Sequence, residues 1–216
     1  MPAREAIVDR LCDKGIIAVV RADSSGQLVD VARALLAGGV DCIEITMTTP
    51  DALTVISRCR EAIGAQALVG VGSVLSARAA REALAAGAQF VVSPIFDREI
   101  IGLAHDAGAP AVPGAFSPTE ILAATNAGAD LVKVFPATRL GAKFFKDILA
   151  PMPHLKLTPT GGVNLDTGGE FIRAGAVTLG VGSALVDKKA IRSGNLGVIE
   201  TLAGQFVRAV AEARKP

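Results

Sequence analysis

The sequence predicts an α/β fold, because glycines that end helices are followed directly by apolar strands at regular intervals. Gly87, Gly108 and Gly128 each close an amphipathic stretch, and they stand 21 and 20 residues apart, the length of one strand and one helix. Glycine ends helices because it adopts the left-handed conformation without steric cost. About eight such units fill 216 residues. We therefore expect one domain over residues 1–216, a closed (β/α)₈ TIM barrel, with an open doubly wound sheet as the alternative.

The elements follow one another in a simple order. Residues 3–13 form an amphipathic stretch that we expect to be an N-terminal capping helix. Short polar side chains at Ser76, Asp97, Ser117 and Asp166 predict helix starts, since such residues bond the free N–H groups of a first turn. Strands that are apolar on both faces and alternate with helices indicate a parallel sheet. The strands are expected near residues 16–20, 41–45, 67–71, 89–93, 110–113, 130–134, 155–159 and 177–181.

The composition excludes several classes of function. Lys+Arg number 22 against 21 Asp+Glu, so a nucleic-acid partner is not expected. No apolar run reaches the roughly 20 residues of a membrane span, and charges interrupt the amino-terminal segment, so we expect no membrane association. Cys12, Cys42 and Cys59 suit reduced thiols in the cytoplasm. The two histidines, His105 and His154, are expected at the surface, and no metal site has recognisable ligand spacing.

Ionisable residues stand in strands that are otherwise apolar. Glu44 lies within Cys-Ile-Glu-Ile-Thr, Lys133 lies within Leu-Val-Lys-Val-Phe, and Arg21 closes the first strand. Because side chains alternate along a strand, Glu44 and Lys133 should point into the barrel when their apolar neighbours face the helices. All three residues stand towards the carboxyl ends of their strands, where barrel enzymes place their active sites.

A lysine in a dry pocket favours Schiff-base chemistry. Desolvation disfavours the charged ammonium, and an unprotonated amine is a nucleophile towards carbonyl carbons. Glu44 is then a candidate proton carrier. The alternative is a buried structural ion pair between Lys133 and Glu44, but such pairs contribute little net stability after desolvation. The catalytic interpretation is therefore favoured.

Glycine-rich turns follow the last two strands, as Thr160-Gly161-Gly162-Val163 and Gly180-Val181-Gly182-Ser183. Glycine lets backbone N–H groups approach an anion, and the loops after strands seven and eight are the usual phosphate site of this fold. These turns predict phosphate binding, with simple turn geometry as the alternative. Ser73, which follows the third strand, is either a binding hydroxyl or a helix N-cap.

Taken together, these motifs resemble the KDPG/KHG aldolase family, whose members cleave 2-keto-3-deoxy-6-phosphogluconate or 4-hydroxy-2-oxoglutarate. The resemblance runs in order from about residue 5 to residue 212. It implies a class I aldolase on a (β/α)₈ barrel, usually a homotrimer, that forms pyruvate and needs no metal or organic cofactor. The matching motifs are Glu44-Ile-Thr, Gly70-Val-Gly-Ser73, Ser93-Pro94, Pro113-Gly114, Lys133-Val-Phe-Pro-Ala137, Pro159-Thr-Gly-Gly-Val163 and Gly182-Ser183.

The resemblance also implies a role for each matching residue. Lys133 matches the Schiff-base lysine, and Glu44 matches the general acid/base. Ser73 matches a hydroxyl that holds the pyruvate carboxylate. Pro94 and Phe135 match walls of the pocket. The phosphate or distal carboxylate would lie against Gly161, Gly162, Gly182 and Ser183.

Two positions depart from the family's pattern. Many members have Arg four residues after the catalytic Glu, where this chain has Thr48, and Gly is frequent where it has Ile95. We expect Arg21 to supply the missing cation from the neighbouring strand. The substrate therefore stays open, and 2-dehydro-3-deoxy-6-phosphogalactonate is the alternative. A sugar-phosphate isomerase or epimerase that forms no Schiff base, and a catalytically silent binding barrel, are the remaining alternatives.

Overall fold

The computed structural model describes residues 3–215 and alternates strands with helices along the chain. The strands are β1 (Ile16–Val20), β2 (Cys42–Thr46), β3 (Leu68–Gly72), β4 (Val91–Val92), β5 (Ala111–Val112), β6 (Gly114–Ala115), β7 (Val132–Val134), β8 (Leu157–Pro159) and β9 (Leu179–Val181). The α-helices are α1 (Arg4–Lys14), α2 (Leu28–Ala37), α3 (Ala52–Ile63), α4 (Ala77–Ala85), α5 (Arg98–Asp106), α6 (Pro118–Asn126), α7 (Gly141–Leu149), α8 (Leu165–Arg173), α9 (Lys188–Ser193) and α10 (Gly197–Ala213). Short 3₁₀ turns occupy Gly64–Gln66 and Ala137–Arg139.

The strands pair in parallel and form a curled sheet. Six strands follow the order β5-β4-β3-β2-β1-β9, and the other three follow the order β6-β7-β8. An isolated parallel bridge between Thr160 and Gly180 links the end of β8 to β9. Only Pro113 separates β5 from β6, and its carbonyl accepts the Lys133 N–H at 2.9 Å. The architecture is thus an α/β fold built on a curled parallel sheet.

Each predicted strand overlaps an observed one, but several are shorter than predicted. One strand was predicted over residues 110–113. The structure has two short strands there, β5 before Pro113 and β6 after it, because Pro113 has no N–H to donate to a neighbouring strand. β4 begins at Val91, after Gln89, whose backbone N–H donates to the Val69 carbonyl at 2.8 Å and whose side-chain oxygen accepts the Val69 N–H at 3.0 Å.

The predicted helix starts are confirmed at three of four positions. The side chains of Ser76, Asp97 and Ser117 each accept a backbone N–H from the first turn of their helix. The fourth prediction, Asp166, was wrong, because Asn164 caps α8. The Asn164 side-chain oxygen reaches the N–H groups of both Asp166 and Thr167 at 3.0 Å, so that Asp166 lies inside the first turn.

The apolar core has two parts, one on each side of the sheet. The larger part lies between the outer face of the strands and the helices. The smaller part fills the inside of the curl, where it joins α1 to strand residues and closes the amino-terminal end of the strands. α1 therefore acts as the predicted cap. The residues of this smaller cluster are Ile7, Val8, Leu11, Ile17, Cys42, Leu68, Phe90, Val92, Val112 and Leu131.

Histidine and cysteine positions complete the comparison with the sequence. His154 is exposed, as expected, but the surface prediction for His105 was wrong. Its Nε2 lies 3.0 Å from Asp130, which precedes β7 and also contacts Arg4 of α1, so the imidazole is half-buried near the amino-terminal end of the strands. The three cysteines are unpaired thiols.

Within residues 3–215, none of the helices combines the length and apolar character of a membrane span.

Packing between α2 and α10 depends on a glycine, and a second glycine provides a control. A Cβ at Gly38 would clash with Ala203 and with the backbone of Glu200, whereas a Cβ at Gly102 in α5 meets no neighbouring atom. We expect Gly38→Ala to lower the free energy of unfolding by about 1–3 kcal/mol through overpacking. Gly102→Ala should raise it by roughly 0.5–1 kcal/mol, since alanine favours helix. Denaturant unfolding of both variants measures the two effects, and changes of the same sign would contradict this packing.

Candidate active site

Two ionisable side chains point into the curl near the carboxyl ends of the strands. The isoleucines that flank Glu44 and the valines that flank Lys133 belong to the outer core, so both charged side chains take the inner face. Glu44 is 2% exposed and Lys133 is 5% exposed. The predicted direction of both side chains is confirmed. The amino-terminal end is filled by apolar side chains, so the carboxyl end is the face where these groups can meet a ligand.

Glu44 is a carboxyl without a direct partner. Its Oε1 is enclosed and has no hydrogen-bond partner among the described residues. Burial raises the pKa of Glu44 above its usual range, while the positive charges of Lys133 and Arg21 oppose the shift. Gly72 of β3 makes room for the carboxyl, because a Cβ there would overlap Glu44 Oε1.

The described part of the chain does not contain the buried ion pair between Lys133 and Glu44 that the sequence left as an alternative. Within residues 3–215, the ion pairs that the structure contains join other residues, and none joins Lys133 to Glu44. The two charges influence each other only across a gap. A pair that exists to stabilise the fold would need close, hydrogen-bonded geometry to offset desolvation. The arrangement instead leaves both groups available to a ligand between them.

Lys133 has an aromatic ring on one of its neighbours and closely packed backbone on the adjacent strand. Its Nζ lies 5.2 Å from the centroid of the Phe135 ring, which is 38% exposed. Gly114 pairs in register with Lys133 and packs so closely on Pro94 that a Cβ on Gly114 would clash with the Pro94 carbonyl. Pro94 and Phe135 therefore border the strand ends on both sides of the lysine. A buried lysine Nζ without a carboxylate contact is placed to meet the carbonyl carbon of a ligand that enters from the carboxyl end.

Arg21 and Thr48 lie on neighbouring strand ends. β1 pairs with β2 so that Val20 stands opposite Ile45, which places Arg21 opposite Thr46. Arg21 is exposed, and its charge acts on Glu44. Thr48 is also exposed, and its hydroxyl lies 3.0 Å from the hydroxyl of Thr46. The structure thus brings the cation and the hydroxyl to the same edge of the site.

Ser73 is not a helix cap. α4 begins at Ala77 and is capped by Ser76, so the N-cap interpretation of Ser73 was wrong. Ser73 has a φ of 57°, a left-handed conformation that costs energy in a residue with a side chain. Ser73 is half-buried and directly follows Gly72, the residue that packs against the Glu44 carboxyl. Strained residues of this kind cluster at functional sites.

The loops after β8 and β9 carry unengaged backbone N–H groups. Among the described residues, the N–H groups of Gly162, Gly182 and Ser183 have no hydrogen-bonded acceptor in the loops, whereas the Gly161 N–H faces β9 at the Thr160–Gly180 bridge. Gly161 and Gly162 have φ values of 91° and 75°, which glycine adopts readily. The Gly162 position is tight, because a Cβ there would overlap the Thr138 side chain. Free N–H groups on adjacent loops can bind an anion.

Sequence reasoning missed several hydroxyls inside the curl. Thr158 pairs in register with Lys133, and the Thr158 and Thr178 hydroxyls are buried without a partner among the described residues. Thr46 and Thr49, at the end of β2, are buried as well. The signal was available, because threonine at an inward position of an apolar strand interrupts the pattern as Glu44 and Lys133 do. Threonine is also a common strand residue, so that signal is weaker.

Comparisons with known proteins agree with this site. The sequence model of the KDPG and KHG aldolase family matches residues 7–202. The 2-dehydro-3-deoxy-phosphogluconate aldolase of Treponema pallidum is 36% identical over 196 residues, which is 90% of this chain and 93% of that protein.

Solved structures agree as well. A native KDPGal structure superposes with a TM-score of 0.85 and 30% identity, over 92% of this chain and 95% of that one. KDPG aldolase from Legionella pneumophila, captured with pyruvate as a covalent carbinolamine, superposes with a TM-score of 0.82 and 29% identity, over 88% and 92% of the two chains.

Fold, site and comparisons define a carbon–carbon lyase of the aldolase type. The chain belongs to the KDPG and KHG aldolase family. The isomerase and the catalytically silent alternatives are therefore set aside.

The unpartnered carboxyl should lower the stability of the folded chain at neutral pH. Because the folded state raises the Glu44 pKa above 4.5, it binds the proton more tightly than the unfolded chain. Stability is therefore lost as pH rises from that value through the folded pKa. Glu44→Gln removes the penalty, so we expect it to unfold at higher denaturant concentration than the native chain at about pH 8, with little difference at about pH 4. The exposed Glu61→Gln is the control, and a Glu44→Gln variant that is less stable at pH 8 would contradict the result.

Proposed function

We propose that this aldolase cleaves 2-dehydro-3-deoxy-6-phosphogluconate to pyruvate and glyceraldehyde 3-phosphate through a Schiff base on Lys133. The observation that carries the proposal is a buried lysine amine at the inner, carboxyl-end face, beside an aromatic ring and without a carboxylate contact. The family's other activity, cleavage of 4-hydroxy-2-oxoglutarate to pyruvate and glyoxylate, fits the same site. 2-Dehydro-3-deoxy-6-phosphogalactonate is the second candidate, supported by the similarity to the KDPGal structure.

In the proposed mechanism, the Lys133 amine attacks the C2 ketone, and loss of water gives an iminium. Glu44 then acts as the general base and removes the proton of the C4 hydroxyl through a water. The electrons of the C3–C4 bond move to the C2–C3 bond, which releases the aldehyde and leaves an enamine. Protonation at C3 and hydrolysis then free pyruvate and the lysine. The raised pKa of Glu44 suits a group that takes a proton and returns it.

The remaining residues of the site bind different parts of the substrate. Arg21, Thr48 and Ser73 border one edge of the site, and we assign them to the carboxylate next to the ketone. Pro94 and Phe135 form its apolar walls. The free N–H groups of the two glycine loops bind the distal phosphate or carboxylate. Gly162, Gly182 and Ser183 carry these N–H groups, and Gly161 is the neighbour of Gly162 in its loop.

We also infer that the curled sheet closes into a (β/α)₈ barrel that forms a single domain over residues 1–216. The Thr160–Gly180 bridge and the one-residue interruption at Pro113 support closure. A homotrimer is the assembly that the family resemblance implies. Three large apolar side chains support it, since Leu75, Ile95 and Phe116 are exposed on loops that follow neighbouring strands. A cytoplasmic location stays a prediction from the reduced cysteines.

Borohydride trapping tests the Schiff base. Sodium borohydride added in the presence of pyruvate should reduce the imine and label Lys133 irreversibly. Lys133→Ala should abolish both the label and cleavage of the keto acid, whereas Lys143→Ala, at an exposed position of α7, should retain both. Peptide mass mapping locates the label. Modification of Lys143 or Lys146 in place of Lys133 would refute the assignment.

Arg21→Met tests the carboxylate site. An anion in the mouth of a barrel needs a cation or several donors, and a guanidinium grips a carboxylate with two parallel bonds. We expect KM for the keto acid and for pyruvate to rise by a factor that corresponds to roughly 2–3 kcal/mol. Steady-state kinetics measures it, with the exposed Arg208→Met as the control. A fall in kcat with an unchanged KM for pyruvate would show that Arg21 only orients Glu44.

A further inference from the structure

Three threonine hydroxyls form a continuous chain of contacts at the carboxyl end of β2. Thr46 Oγ1 lies 3.0 Å from Thr48 Oγ1 and 3.3 Å from Thr49 Oγ1. The backbone N–H of Ala22, the residue after Arg21, donates to Thr49 Oγ1 at 3.4 Å. Thr46 and Thr49 are buried, whereas Thr48 is exposed. The chain therefore runs from the backbone beside Arg21, through the interior, to a hydroxyl at the mouth of the site.

The buried end fixes the direction of the protons along the chain. A backbone N–H can only donate, so Thr49 Oγ1 accepts the Ala22 N–H. The Thr49 proton then goes to Thr46, and the Thr46 proton goes to Thr48. The opposite direction would leave the buried Thr49 proton without an acceptor, which is unfavourable. In the favoured direction, the proton left over belongs to the exposed Thr48 hydroxyl.

The free proton of Thr48 lies beside the cation of the site. Strand register places Arg21, Thr46 and Gly72 side by side on β1, β2 and β3, just beyond Glu44. The Thr48 hydroxyl is held to Thr46, so it stands on the same inner side as Arg21. A carboxylate that engages the guanidinium would find a second donor there. A hydroxyl at the end of a hydrogen-bonded chain is also a stronger donor than an isolated one, because each bond polarises the next.

We propose that Thr48 donates a hydrogen bond to the substrate carboxylate alongside Arg21, and that Thr46 and Thr49 are positioning residues that orient the Thr48 hydroxyl. The proposal rests on the proposed function, because it takes Arg21 to be the cation that binds the carboxylate of a 2-oxo acid. One end of the chain holds the backbone next to Arg21, and the other end carries the second donor. The two donors are thereby kept at a fixed separation, which suits a planar, bidentate anion.

Valine variants test the chain, because valine replaces the hydroxyl with a methyl group and keeps the shape. The measurement is the pyruvate concentration that gives half-maximal borohydride trapping at Lys133. We expect Thr48→Val to raise it about tenfold, the loss of one hydrogen bond to a charged group. Thr46→Val should raise it by a similar factor, and the double variant should add nothing further, since both changes break one chain. Turnover at saturating keto acid should change far less than this concentration does.

Two further variants control the experiment. Thr46→Ser restores the hydroxyl and should restore the half-saturating concentration, which a purely structural role of the buried side chain would not require. Thr125→Val removes a hydroxyl on α6 that donates to the Ile121 carbonyl at 2.9 Å, and it should leave pyruvate binding unchanged. Thr48 is exposed, so Thr48→Val decides the question of the donor even if Thr46→Val does not fold.

The outcomes separate this proposal from the proposed function. A half-saturating concentration that is unchanged in Thr48→Val would overturn Thr48 as a donor. An effect of Thr48→Val without one of Thr46→Val, or additive effects in the double variant, would overturn the chain. If both threonine variants are silent while Arg21→Met weakens pyruvate binding, only the present proposal fails. If Arg21→Met is silent as well, the assignment of the carboxylate to Arg21 fails with it.

Discussion

The alternation of side chains along apolar parallel strands decides where this enzyme can hold charge. The outer faces of the strands are committed to the helices, and α1 with the inner apolar cluster fills the amino-terminal end of the curl. A charged side chain can therefore enter the interior only near the carboxyl ends. Glu44 and Lys133 occupy such positions on β2 and β7, which lie on different parts of the sheet. Parallel pairing is what brings residues so far apart in the chain to one edge.

The same constraint explains how much of the molecule the sequence could predict. The positions of the strands along the chain, the capping helix and the inward direction of Glu44 and Lys133 follow from periodicity, which is a local property. Local patterns do not reveal which of two neighbouring polar residues accepts the backbone N–H groups at a helix start. For this reason the sequence pointed to Asp166, whereas Asn164 is the cap of α8. Local patterns also do not reveal contacts across the sheet. The burial of His105 depends on Asp130, and the hydroxyl chain of Thr46 depends on a loop after another strand.

The buried polar groups supply the chemistry of the site, and they also lower the stability of the fold. Glu44 Oε1 and the hydroxyls of Thr158 and Thr178 are enclosed without partners among the described residues. An unsatisfied buried group destabilises the fold, and a core built for stability alone would carry valine or leucine at these positions. Thr158 pairs in register with Lys133, so polar groups without partners stand in the same interior as the lysine, which indicates that this interior is shaped for a polar ligand. The extensive outer core, which the site leaves untouched, supplies the stability that offsets this cost.

The charges around Glu44 would change during the proposed reaction. In the structure, the positive charges of Lys133 and Arg21 both oppose the raised pKa of Glu44. In the proposed function the substrate carboxylate binds Arg21, and it would then offset one of these two positive charges. Binding of substrate should therefore strengthen Glu44 as a base at the moment when a proton must be removed from the C4 hydroxyl. Under the proposed function, a cation one strand away from the Glu44 carboxyl would in this way link recognition of the keto acid to proton transfer.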